Sequence, residues 1–155
     1  MSHFSSPEAV EAYLHTHIPL AAAMGARVVG ATPGTVRLAA PLAPNLNHRS
    51  TAFGGSVATL AILAGWTGVH LRLHREELDG HTVIQRSDVA YLKPVTGDFE
   101  AHTLPLDEGA WRRLRRSLAR WGRGRIRVAV ELTSGGETVG RMEGDYVVLS
   151  GAEET

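Results

Sequence analysis

The sequence predicts an α+β domain in which an antiparallel β-sheet wraps round one long, buried helix. Three observations predict it. The stretch from about Phe53 to His74 reads as one helix that is small and apolar on nearly every side. About six strand-like segments surround it, joined by turn sequences instead of regularly alternating crossover helices. The length of 155 residues suits one domain, and no linker or internal repeat divides it.

The elements follow in order. Ser6-Pro7-Glu8 reads as an N-cap, a proline at the first helical position and an acid in the first turn, which opens a helix over about 7–17. Pro19 ends it, and Leu20–Met24 add one further turn closed by Gly25. Strands at Ala26–Ala31 and Thr35–Ala40 are joined by the turn Thr32-Pro33-Gly34. A polar loop from Pro41 to Thr51 leads into the long helix, about 53–74. Asp79-Gly80 turns the chain into a strand over Thr82–Leu92, Pro94–Gly97 breaks it, and Asp98–Leu104 is the next strand. Asp107 caps a helix over about 108–121 whose docking face is Trp111, Leu114, Leu118 and Trp121, with Gly122 as its stop. Ile126–Thr133 and Thr138–Leu149 form a last hairpin about Ser134-Gly135-Gly136, and the final SGAEET reads as a frayed end. His15 and His17 are expected exposed near the end of the first helix.

Composition narrows the function. Sixteen basic and 16 acidic residues cancel, which argues against a globally basic nucleic-acid binder. The absence of cysteine removes disulfides, thiol nucleophiles and thiolate metal sites. With no secretory signal at the N-terminus, a cytoplasmic location is expected. Ala52 to Val69 carries no charge and approaches the length of a membrane span. Its content of Gly54, Gly55, Gly65, Gly68, Ser56, Thr59 and Thr67 makes it only weakly hydrophobic, so a core helix is expected and no membrane partner. His70 and His74 share a helix face, but no Glu completes a zinc-protease motif. No metal and no cofactor is expected.

The junction Asn45-Leu-Asn-His-Arg-Ser-Thr-Ala-Phe-Gly-Gly-Ser56 carries the chemistry. Two glycines open a helix there, and the first amides of a helix have no internal partners. Free N–H groups at the positive end of the helix dipole polarise a carbonyl oxygen and hold it as it becomes negative. Asn45, Asn47, His48 and Thr51 add side-chain donors just upstream. Tyr91-Leu-Lys-Pro-Val-Thr-Gly-Asp98 is a strand and turn that alone is structural.

Together the two segments resemble a known family. Aromatic-Leu-Lys-Pro, two residues, then Gly-Asp is similar to the signature of hotdog-fold acyl-thioester enzymes. The run Pro44–Ser56 resembles a narrower thioesterase-like group, found alone or fused behind an acetyltransferase-like domain in some bacterial proteins. Members of that group act as malonyl-acyl carrier protein decarboxylases. The resemblance spans about His17 to Leu149. It implies a hotdog fold, a homodimer or higher assembly with active sites at the subunit interface, and an oxyanion site at Gly54 and Gly55. It implies an acyl thioester of acyl carrier protein or coenzyme A as substrate. On that pattern Asn45, His48, Thr51, Gly54 and Gly55 are the candidate catalytic residues. Phe53, Ser56, Ser87, Asp88 and Tyr91 are the candidate substrate contacts.

The chain departs from the common thioesterase pattern. Phe53 stands where those enzymes often carry His, and from Ser56 through Leu73 there is no carboxylate. Hydrolysis gains roughly 10²–10⁴-fold from a placed general base. The nearest acids on the helix, Glu76 and Glu77, lie about 30 Å beyond the glycines, leaving Asp88 of a partner subunit as the remaining candidate. Decarboxylation of a malonyl thioester needs no base, only a stabilised enolate oxygen. Asn45 is the first candidate donor to it, or orients the carboxylate; His48 and Thr51 hold the thioester or return a proton.

Half of the 16 basic residues lie between Arg112 and Arg127, with no acid among them. Arg112, Arg113, Arg115, Arg116 and Arg120 form the solvent face of the 108–121 helix and are the candidate carrier-binding residues, suited to acidic acyl carrier protein or to the phosphates of coenzyme A. The leading reading is malonyl-thioester decarboxylation in fatty-acid metabolism. A thioesterase and a non-catalytic acyl-thioester binding module are the alternatives; a nucleic-acid role for the arginines would show as steeply salt-dependent binding.

Overall fold

The computed structural model describes residues 4–151. Helices α1 (Pro7–His17) and α2 (Pro19–Ala23) precede a hairpin of β1 (Arg27–Thr32) and β2 (Thr35–Ala40). A loop with one 3-10 turn, Ala43–Asn45, leads to the long helix α3 (Gly54–Arg75). There follow β3 (His81–Tyr91), β4 (Phe99–Thr103), α4 (Glu108–Trp121), β5 (Arg123–Ser134) and β6 (Glu137–Leu149). The strands make one antiparallel sheet in the order β1-β2-β4-β5-β6-β3.

Alternation along the strands sets the two faces. On β5, Ile126, Val128, Val130 and Leu132 are buried against α3 while Arg123, Arg125 and Arg127 face out. Leu60, Ala61, Ala64 and Val69 of α3 are fully buried in the same core. This is the hotdog arrangement, a sheet curled round one helix. Gly65 is required by the packing. A methyl group there would collide with the Tyr146 hydroxyl, which donates to the Ile62 carbonyl at 2.6 Å. Burial pushes the Tyr146 phenol above its ordinary pKa, so it remains a neutral donor. α3 is the one described helix long and apolar enough to cross a membrane, and 61% of its apolar window is buried within the fold.

α4 lies across the far end of α3. Arg72 pairs with Glu108 at 2.9 Å and sits over the Trp111 ring, 4.9 Å from its centroid. Arg72 is 18 residues beyond Gly54, about 27 Å along the helix axis.

Several expectations are corrected by backbone detail. α3 starts at Gly54, because Phe53 is extended (φ −60°, ψ 131°) and acts as the N-cap. β1 runs from Arg27 to Thr32, one residue later than expected. β5 starts at Arg123 instead of Ile126. Gly122 takes the left-handed conformation (φ 71°) and turns the chain straight into the strand, and Gly124 leaves room for Leu114 of α4. Trp121, expected on the docking face, is 66% exposed because, among the described residues, no other element covers the last turn of α4; Arg120 of the same helix lies over its ring. His15 is half-buried, with Nε2 2.6 Å from the Ala26 carbonyl oxygen, which ties α1 to the start of β1. His70 stacks between Trp66 and Tyr13, so its ring is part of the α1–α3 packing. Of the expected frayed end, residues 152–155 lie outside the described residues.

Candidate functional site

The start of α3 is built by the loop before it. Asn45 ends the 3-10 turn, and its carbonyl accepts from the Phe53 N–H at 2.7 Å. The Phe53 carbonyl in turn accepts from Ser56 and Val57 at 2.9 and 3.2 Å. Ala52 is pinned from the other side by its N–H to the Val95 carbonyl at 2.8 Å. The N–H groups of Gly54 and Gly55 are left without an acceptor among the described residues, and no side chain caps the helix.

Rings lie against both glycines, and the one over Gly55 is in collision distance of any side chain there. A methyl group on Gly55 would strike the Phe53 ring, and one on Gly54 would touch the Tyr91 ring at 3.5 Å. Tyr91 also donates to the Gly54 carbonyl at 2.9 Å. Phe53 folds over Gly55 yet remains 58% exposed, so it walls the cleft without plugging it.

An open cleft of about 380 Å³ begins here, lined by Leu20, Ala23, Met24, Pro44, Asn45, Phe53, Gly55, Ser56 and Thr59. Among the described residues no ionisable side chain lines it. The first turn of α3 carries no acid, while Arg72, His74 and Arg75 occupy its last turn, which leaves the dipole's positive end unopposed at the cleft.

Asn45 is 3% exposed and its orientation is determined by its partners. Nδ2 donates to the Met24 carbonyl at 2.9 Å and to the Pro41 carbonyl at 2.7 Å. Two carbonyls can only accept, so the amide nitrogen must face them. Both hydrogens are spent inward. Oδ1 receives no hydrogen bond from the described residues and is the atom left for the cleft. Asn45 is therefore an acceptor at this site, not the donor expected from sequence.

The chain matches the family model described as "Putative thioesterase (yiiD_Cterm)" over residues 7–150. The chain belongs to that thioesterase family. It is similar in structure to a protein of unknown function from Chlorobaculum tepidum TLS (TM-score 0.87, 25% identity, covering 94% of this chain and 98% of that one). It is also similar to a putative thioesterase from Shewanella oneidensis (TM-score 0.78, 27% identity, 92% and 96% covered). A thioesterase from Pseudomonas aeruginosa, solved in a mutant form, shares the fold at 13% identity (TM-score 0.74, 95% and 96% covered). Membership makes the chain an acyl-thioester enzyme, with thioester substrates.

In this family member the structure brings together only part of the expected site. Asn45, Phe53, Gly55 and Ser56 line the cleft, with Gly54 and Tyr91 at its edge. His48 does not line it. The Asn47 side chain accepts from Arg49 and Thr51 N–H and donates to the Thr51 hydroxyl at 2.7 Å, closing a turn whose exposed tip carries His48. The Thr51 hydroxyl is thus committed to that turn as an acceptor.

Asp88 is likewise displaced. It stands opposite Glu143, whereas Ser87 stands opposite Gly144 and Val89 opposite Met142. Met142 and Gly144 are buried on the α3 side, so Asp88 points to the outer face of the sheet, away from the diglycine. Ser87 shares the inner face with Tyr91, about 13 Å along the strand. The arginines of α4 stand at the opposite end of the chain from the cleft.

Sequence reasoning missed the α2 wall of Leu20, Ala23 and Met24, and Thr59. Thr59 had a signal. It is four residues after Gly55 on the same helix face, and its hydroxyl donates to the Gly55 carbonyl at 2.7 Å.

Proposed function

We propose that the chain decarboxylates a malonyl thioester, carried on acyl carrier protein or coenzyme A, to the acetyl thioester. The observation that carries this reading is the pair of amides at Gly54 and Gly55, unpartnered among the described residues, opening into a cleft that no carboxylate of those residues lines. The thioester carbonyl oxygen sits at these amides. The C–C bond to the carboxylate breaks, carbon dioxide leaves, and the electron pair becomes an enolate whose oxygen the amides hold. A water proton then goes to carbon, and the hydroxide left behind combines with the released carbon dioxide as bicarbonate. Asn45 Oδ1 accepts from that water and aims it. An acid-free cleft spares the substrate carboxylate from like-charge repulsion.

The free β3 edge supports a homodimer or higher assembly; a cytoplasmic location is part of the same proposal. Strands paired edge to edge keep their faces, so in such a dimer Asp88 stays on the outer surface of the joined sheet and away from both clefts.

One observation favours hydrolysis as the second reading. Asn45 Oδ1, an acceptor beside the oxyanion amides, can also hold a water for attack on the thioester carbonyl, as the family description implies.

Product analysis by mass spectrometry after incubation with malonyl-acyl carrier protein and malonyl-coenzyme A decides between them. Acetyl thioester is expected. Free malonate with free thiol would mean hydrolysis, and tight binding without turnover would mean a binding module. Gly54→Pro removes one amide donor at a position whose backbone accepts proline after extended Phe53, and is expected to lower kcat by about 10²–10³-fold. Unchanged turnover in Asn45→Ala would remove that residue from the mechanism.

A further inference from the structure

β3 is the outermost strand of the sheet and 11 residues long. Residues 85–88 are exposed on both faces, and the apolar side chains of Val83, Tyr91 and Leu92 are exposed beside them. An unpaired edge of this length is a template for another strand. A second copy of the same edge, antiparallel about a two-fold axis, is the closed solution. The run exposed on both faces marks its middle.

The two ends of β3 differ. Its C-terminal end is latched to the cleft through Tyr91 and Gly54. Its N-terminal end belongs to the α4 side of the molecule. His81 pairs with Leu149, Leu149 pairs with Arg123, and Gly80 packs beside Leu118 of α4. Antiparallel pairing sets the Tyr91 end of one copy against the His81 end of the other. From β3 of one copy to β5 of the second is three strand spacings, about 14 Å. Within one chain the His81 end, beside the C-terminal turn of α4, lies ten residues along β3 from Tyr91 at the cleft, about 33 Å. The C-terminal turn of α4 is therefore closer to the neighbouring copy's cleft than to its own.

The surface so placed has a definite chemistry. Arg112, Arg113, Arg116, Arg120 and Arg123 form no ion pair among the described residues, while Arg115 is held by Glu76 at 3.1 Å. From Arg112 to Arg120 the helix covers about 12 Å. That is a convex strip wider than one diphosphate. Trp121 stands exposed at its end, an apolar anchor among arginines of the kind that dominates protein contacts.

We propose that the arginine face of α4 acts in trans, docking an acidic carrier protein whose thioester enters the cleft of the other copy. The proposal rests on the acyl-thioester reading above. Mixed dimers test it. One chain carries Gly54→Pro, the other Arg116→Glu with Arg120→Glu. The Arg116→Glu/Arg120→Glu homodimer is expected to lose roughly tenfold in kcat/KM on malonyl-acyl carrier protein and nothing on malonyl-pantetheine. The mixed dimer should recover half of the native value, because its one intact cleft faces intact arginines. A mixed dimer with only half the activity of the arginine-variant homodimer would place the arginines in cis and overturn the proposal. Equal losses on malonyl-coenzyme A and on the carrier-bound substrate would overturn the protein partner in favour of coenzyme phosphates.

A second measurement needs no turnover, so it separates this proposal from the reaction. The chain has no cysteine. Phe53→Cys with Arg120→Cys, treated with a short bis-maleimide, should give a covalent dimer on a denaturing gel. A link confined to single chains would overturn the trans arrangement. Holo-carrier protein should bind the native chain and lose that binding with Arg116→Glu/Arg120→Glu even if no product forms.

Discussion

The Tyr91 hydroxyl donates to the Gly54 carbonyl at 2.9 Å, joining the end of the edge strand to the first turn of the central helix. Its ring also lies 3.5 Å from where a Gly54 side chain would be. The sheet edge thereby positions one of the two free amides. Tyr91→Phe keeps the ring and removes the latch. The bond is exposed, so its loss is expected to cost at most about 1 kcal/mol in urea unfolding. Turnover should fall several-fold, because the amide loses its fixed direction. Unchanged kcat would show that the latch has no part in aiming the Gly55 N–H, which shares a peptide plane with the Gly54 carbonyl.

Gly55 and Phe53 form a second dependent pair. Gly55→Ala drives its methyl into the Phe53 ring, which is exposed and can swing aside. Folding should survive, while KM for the acyl thioester changes as the wall of the cleft moves. The double variant Gly55→Ala/Phe53→Ala relieves the collision, and a double-mutant cycle on KM should show coupling between the two positions. Additivity would indicate that the ring does not shape the cleft.

Gly65 and Tyr146 are coupled in the core. Gly65→Ala should destabilise by about 1–3 kcal/mol through overpacking against the phenol. Tyr146→Phe removes the donor to the Ile62 carbonyl and should cost about 1 kcal/mol. Combining them should cost less than the sum, since the oxygen that collides is gone. Chemical denaturation midpoints measure all three.

On the outer face, Arg127 donates to Asp145 at 3.0 Å and holds its carboxyl below the usual carboxylate range. A depressed folded pKa contributes stability above the unfolded value, near pH 4, and loses it as pH falls through the folded value. Arg127→Ala should therefore lower stability at neutral pH and flatten the acid limb of a stability–pH curve. The difference between variant and native protein should shrink at low pH. A constant difference across pH would mean that the pair contributes nothing through ionisation.

Much of the architecture could be read from local sequence. α1 and α4 have the bounds that their caps announce, Ser6 with Pro7 and Asp107 with Gly122, because a cap is satisfied within a few residues. The diglycine could be read because two adjacent glycines stand where a helix begins, and the ring over Gly55 is that of Phe53, two residues before it. Asn45 could be identified but not given the correct sense. Whether its amide donates or accepts at the cleft depends on carbonyls at Met24 and Pro41, which local spacing does not place. His48 and Thr51 looked like further site donors because they are close in sequence; the Asn47 turn holds the Thr51 hydroxyl as an acceptor and turns His48 outward, and neither lines the cleft.

By itself the sequence determined the order of elements, the buried helix and the absence of an acid along it, since these follow from residue type, period and caps. Only the tertiary structure decided that Asp88 faces outward, that Asn45 accepts, and that the arginines stand at the far end from their own cleft. Each of these depends on strand register or on groups distant in the chain, and a shift of one residue in a strand turns a side chain to the opposite face.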